Sequence, residues 1–189
     1  LELAKRGSLA SSTGRNIAVK YCFEHAKSQG FINNFTNDWL DTDKIGEMEP
    51  DKGLYGKVYD KDLRDAMRLQ SSKVFAEILT HDYKPDTLLS SDWTMINERL
   101  AKHYGIKGVS GEDFKRVDLD KDHLIRGSLI GHAGIMSILA NGTESLPVTR
   151  GVWVMENLLD IHVLPPPPNI PIIEPDTRGT TTMIEQLTK

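Results

Sequence analysis

Along most of the chain, apolar residues recur three, four and seven positions apart, the spacing of helices that bury one face. The longest such run goes from Asp60 to about His81, where Leu63, Met67, Val74 and Ile78 follow one edge and Ala66, Phe75 and Leu79 the next. Asp60 or Asp62 offers a cap at its start. Before it, residues 14–29 place Ile17 with Tyr21 and Ala18 with Cys22, and Gly30 is the stop. Residues 31–40 put Phe31, Ile32, Phe35, Trp39 and Leu40 on one broad face. Residues 41–60 hold Gly, Pro and Asp with few periodic apolars and predict a connecting loop.

After Pro85 the pattern predicts a short helical turn. A helix from Trp93 to Tyr104 then runs through Ile96, Leu100 and His103, with Gly105 as its C-terminal stop. Residues 106–124 alternate weakly and predict at most a short extended piece. Helical spacing returns from Leu124 to Ala140 despite Gly127, Gly131 and Gly134. Each glycine costs a helix about 1 kcal/mol relative to alanine, so this spacing implies close packing against a neighbour. Asn141-Gly142 is a turn. One more helix covers 148–160, four prolines follow at 165–168, and a last helix begins near Thr180.

The expected fold is all-α or nearly so, an irregular helical bundle with long loops. Pro165, Pro166, Pro167 and Pro168 add a polyproline II strap, since successive prolines fix φ and remove donors. Residues 1–120 read as an N-terminal helical domain, and 121–179 as a second domain sharing its core. Residues 180–189 read as the start of a helix leading to a further domain. Trp39, Phe75, Trp93 and Trp153 are expected in or beside one continuous core. Arg150 and Trp153 are the candidates to pack on the prolines, because guanidinium and aromatic faces suit proline rings.

Composition changes this picture mainly by exclusion. The 189 residues are 39% hydrophobic and 26% charged, as in globular proteins. A net charge of −4 carries no basic footprint for nucleic acid. No apolar run approaches the roughly 18–20 residues of a membrane span. The chain opens without an initiator Met and closes inside a helical pattern, so both ends read as cut from something longer. Cys22 is the only cysteine, which leaves no disulfide and no CxxCH haem attachment within these residues. Its apolar-periodic setting predicts a buried small hydrophobe.

Few motifs carry chemistry. Asp118, Asp120 and Asp122 occupy alternate positions, as in a calcium loop, but His123 and Leu129 stand where that loop needs Gly and Glu. They remain weak candidates for a divalent ion, against a solvated acidic turn. None of the six histidines forms an HExxH or HxH pair. His132 and Met136 are four apart on one helix face and are the candidates for a haem-proximal position. The serine pairs Ser71-Ser72 and Ser90-Ser91 have no glycine elbow and no histidine beside them in sequence. No phosphate-binding loop is present, and catalytic residues stay unassigned.

The stretch RGVWVMENLL followed by PPPPNIP resembles the signature RG-x-W-V-x-E-N-x-L…PPPPPNVP of a family known mainly from planctomycetes, a domain of unknown function joined to c-type cytochrome domains. Upstream, FINNFTNDWLDTDKI, LRDAMRLQSSKVFAEIL and LLSSDWTMINERLAKHYGI resemble the partner domain that precedes it. The likeness covers nearly the whole chain from about residue 14. Two positions depart from it: His132 stands where the family has an amide, and Gln70 where a Glu is common. The resemblance implies export to the periplasm or cell exterior. It also implies haem c in the parent protein but none in this chain, and haem-bearing domains or subunits as partners. The implied role is to position those domains in electron transfer or oxidation. The competing reading is a protein- or polymer-binding module using Trp39, Trp93 or Trp153 and the prolines.

Overall fold

The computed structural model describes residues 2–164. The expected strap at 165–171, with its four prolines, and the helix from Thr180 lie outside the described residues.

The organising element is the helix α5 (Lys61–Thr80), whose periodic face is buried at Leu63, Ala66, Met67, Val74 and Ile78. Of the two candidate caps it is Asp60 that acts: its Oδ1 accepts from Leu63 N at 2.7 Å. The same carboxylate holds the Arg99 guanidinium at 2.8 Å, which ties the start of α5 to α6 (Glu98–Tyr104). Four α-helices precede α5 among the described residues, the first three being α1 (Glu2–Lys5), α2 (Ser12–Glu24) and α3 (Ser28–Leu40). A short α4 (Lys52–Tyr55) sits inside the 41–60 connection.

The molecule is mostly helical but not all-α. Trp93–Ile96 is a strand, β1, paired antiparallel with β2 (Lys115–Asp118) in a register from Trp93↔Asp118 to Ile96↔Lys115. The expected helix from Trp93 therefore begins only at Glu98. Aromatic and β-branched side chains favour the pleated conformation here. Asn97 then fixes the helix start, its side chain accepting from Leu100 N at 3.0 Å. Gly105, at φ 78°, ends α6 as expected.

The expected helix over 124–140 is also broken. It is two 3₁₀ turns, Leu124–Gly127 and Leu129–Gly131, followed by α7 (Ala133–Ile138). Ser128 and His132 are extended between them. The glycines mark close packing, but not inside one helix. A Cβ on Gly127 would run into the Ser91 carbonyl, and one on Gly134 would lie 2.8 Å from Met67 O on α5. Beyond α7, α8 (Pro147–Trp153) leads into a π-helical turn, Val154–Leu158.

Among the described residues three apolar clusters form the core. One joins Ile45, Leu63, Met67, Ile96 and Leu100, and a second joins Leu40, Leu129, Ile135, Leu139 and Trp153. A third contains Val74, Ile78 and Trp93. Ile138 packs against the first and second clusters and Leu88 against the second and third, so the core is continuous. Trp93 and Trp153 are buried, and Trp39 and Phe75 are half-buried beside them.

The first long helix behaves differently from its pattern. In α2 only Gly14 is buried. Cys22 is exposed rather than a core residue. Helical spacing creates an apolar face but does not supply a neighbour to cover it. Among the described residues no helix is long and apolar enough to cross a membrane.

Candidate functional site

Polar groups cross the seam where α5 meets α6 and α7. Tyr104 Oη donates to Gln70 Oε1 at 2.6 Å and accepts from Ala133 N at 2.8 Å. Gln70 Nε2 in turn donates to Thr94 Oγ1 at 3.2 Å. Burial raises the Tyr104 pKa, which keeps the hydroxyl a neutral donor. Gln70 and Thr94 are fully enclosed, so each of these bonds satisfies a group that water does not reach.

One residue along the chain, Ser71 Oγ lies 3.0 Å from His132 Nδ1. Sequence spacing gave no histidine to Ser71, and the fold provides one. The pair nevertheless does not form a working nucleophile and base. Ser71 and His132 are 1% and 0% exposed, which leaves no path for a substrate. Burial, reinforced by the Arg126 charge, pushes the His132 pKa down to about 3, far too weak for a general base near neutrality. His132 Nε2 has no hydrogen-bond partner among the described residues.

Beside the seam lies a cavity of about 310 Å³, between the 48–59 segment and α7. Met136, His103 and Arg126 line it, and His132 does not. The fold thus separates the two residues that spacing had paired: Met136 faces the cavity while His132 is sealed behind Ser71. Cys22 is a single exposed thiol, without the second cysteine that thioether attachment uses, and His132 has no open approach.

The acidic turn is spent on local structure. Asp120 Oδ1 accepts from Asp122 N, His123 N and His123 Nδ1, the last at 2.6 Å. The His123 side-chain hydrogen bond is the main cause of the lowered Asp120 pKa. Among the described residues no three His, Cys, Asp or Glu side chains converge as metal ligands, so Asp118, Asp120 and Asp122 do not gather.

Trp153 is packed into the core against Leu40 and Leu139, 5% exposed, and is not a docking face. Arg150 Nε is buried without a partner among the described residues. Two residues that the sequence did not single out as a pair join here instead. Trp39 Nε1 donates to the Asn157 carbonyl at 2.7 Å, and Asn157 Nδ2 donates back to the Trp39 carbonyl at 2.6 Å. Asn157→Ala removes the second bond and strands a carbonyl. The expected cost is about 1 kcal/mol, or roughly 2–4 °C in Tm. A thermal melt unchanged by the substitution would remove this clasp from the account.

Residues 1–106 match the PSD4 family, Protein of unknown function (DUF1592), and the chain belongs to that family. Residues 126–189 match PSCyt3, Protein of unknown function (DUF1588). These are the paired cytochrome-c-associated domains that the two sequence signatures resemble. No curated protein and no solved structure matches the chain.

Proposed function

We propose that the chain is the non-haem helical portion of an exported multidomain c-type cytochrome protein, holding neighbouring haem domains in place for electron transfer or oxidation. One observation carries this reading: the two family segments interlock rather than hang on a linker. The Trp39–Asn157 clasp, the Ser71–His132 pair and the Gly134–Met67 contact each join residues of the first match to residues of the second. A body built this way transmits a fixed direction to whatever is attached to it. Cofactor chemistry then belongs to the haem domains, and this chain contributes orientation.

A second reading, an interaction module, rests on a different surface. Trp93 and Trp153 are enclosed and unavailable. Phe31 and Phe35 stack at 6.0 Å between centroids, Phe23 meets Phe31 edge-on, and all three are exposed. Such a surface suits a protein or polymer partner.

The full-length protein distinguishes the two. In the periplasmic fraction it is expected to show a c-type haem spectrum. A spin label placed on α5 through Lys61→Cys, in a chain whose exposed Cys22 is replaced by Ser, is expected to report one narrow distance to the haem iron. No haem, or a broad distance distribution, would leave only the interaction reading.

A further inference from the structure

We propose that the cavity between the 48–59 segment and α7 is a binding site for a small amphipathic monocarboxylate, anchored by Arg126. The cavity holds about 310 Å³. That is at the lower end of small-molecule sites, which span about 300–1,000 Å³. Its walls are apolar and adaptable, formed largely by Met48, Val58, Leu63, Met67 and Met136. The outer wall is tied down rather than open: Tyr55 Oη donates to Thr143 O at 3.1 Å, and Asp51 N donates to Gly142 O at 2.9 Å.

Three polar groups in this wall have spare capacity. Tyr59 Oη and Ser145 Oγ are shielded from solvent and have no hydrogen-bond partner among the described residues. The Arg126 guanidinium lies 4.7 Å from the Tyr104 ring centroid and gives one N–H to Gly131 O at 2.8 Å. Arg6, Arg64, Arg99 and Arg116 each pair with a carboxylate; Arg126, like Arg15, Arg68 and Arg150, pairs with none among the described residues, and of these four it is the one that lines the cavity. A half-buried cation without a counter-charge is costly, and an arriving anion relieves that cost.

The positive field is felt nearby. His103, also in the wall, has its pKa lowered by burial first and by Arg126 second, so it stays neutral and adds no charge. Glu144 sits exposed at the rim and forms no ion pair with Arg126. One guanidinium and one rim carboxylate lining the same cavity favour a monoanion over a dianion. The carboxylate head lies at Arg126, the hydroxyls of Tyr59 and Ser145 supply further polar contacts, and the apolar body runs along the methionines.

Isothermal titration of the chain with octanoate, octan-1-ol and acetate tests this site, independently of the cytochrome reading. Octanoate is expected to saturate one site at least about tenfold more tightly than either control, since only it combines charge with apolar burial. Arg126→Gln is expected to cut octanoate affinity about tenfold or more and to leave octanol unchanged. Ala140→Leu, which fills the cavity without touching the anion anchor, is expected to abolish binding of both. Equal affinity for octanoate and octanol, or no saturation by octanoate, overturns the proposal. If Arg126→Gln does not fold, the Ala140→Leu chain decides: octanoate binding that persists there also overturns it.

Discussion

Gly127→Ala is expected to destabilise the chain by about 3 kcal/mol or more, while the same change at Gly30 stabilises it by about 0.5–1 kcal/mol. The opposite signs come from surroundings, not from intrinsic propensity. Gly127 is buried in a 3₁₀ turn whose backbone touches the loop before β1: Ser91 Oγ donates to the Gly127 carbonyl at 2.7 Å. A methyl group there meets the Ser91 backbone itself, which has no rotamer to give way. Ser91 Oγ also lies 2.7 Å from Trp93 O and shares its one proton between the two carbonyls, so displacing it disturbs the start of β1. Gly30 lies in α3, exposed, with no atom within 4 Å of a Cβ among the described residues. There alanine only reduces the freedom of the unfolded chain. Urea denaturation of both variants measures the difference. Equal, small effects at the two positions would mean that Gly127 is not wedged against Ser91.

Acid is expected to unfold the protein in a way that depends on His132. Its pKa is about 3 in the folded state, against an ordinary value of 6.5. The folded state therefore keeps the neutral ring where the unfolded chain takes up a proton. The resulting stability is complete above pH 6.5 and is lost as pH falls from there toward 3, at up to about 1.4 kcal/mol per pH unit. Between pH 6 and pH 4 this amounts to roughly 2–3 kcal/mol, or about 5–10 °C in Tm. His103, also lowered by burial, adds to the same trend. His132→Gln keeps a side chain able to meet Ser71 but cannot titrate, so its Tm is expected to fall much less over this interval. Parallel Tm–pH curves for the two proteins would show that His132 is not the sensor.

The long periodic segments were legible in the sequence. Asp60 as cap, α5 through Thr80, α3 up to Leu40 and the stop at Gly105 all follow from spacing and end chemistry. Errors cluster where tertiary contact overrides a local pattern. Trp93 and Ile96 keep helical spacing with Leu100 and His103, but pairing with Lys115–Asp118 makes Trp93–Ile96 a strand. The 124–140 stretch has apolar residues at helical intervals, yet Gly127 and Gly131 are there for backbone approach, and the chain breaks into separate turns. Ile17, Val19 and Tyr21 of α2 remain exposed, and its Phe23 meets the edge of the likewise exposed Phe31.

The site was legible in fragments. Gln70 and His132 stood out as departures from the family pattern, and both lie in the enclosed polar seam. Their partners Tyr104, Thr94 and Ser71 come from three separate elements, and no spacing rule connects residues so far apart in the chain. Arg126 is conspicuous only in three dimensions, through its lack of a carboxylate beside an apolar cavity.

That the two family segments fold as one body is tested most directly by unfolding two variants that each keep a single tryptophan. Trp93 reports on the first segment and Trp153 on the second. With urea as denaturant, followed by fluorescence, the two probes are expected to give one coincident transition with the same midpoint and slope. Two separated transitions, with Trp93 and Trp153 losing their environments at different urea concentrations, would contradict a shared core and the positioning role built on it.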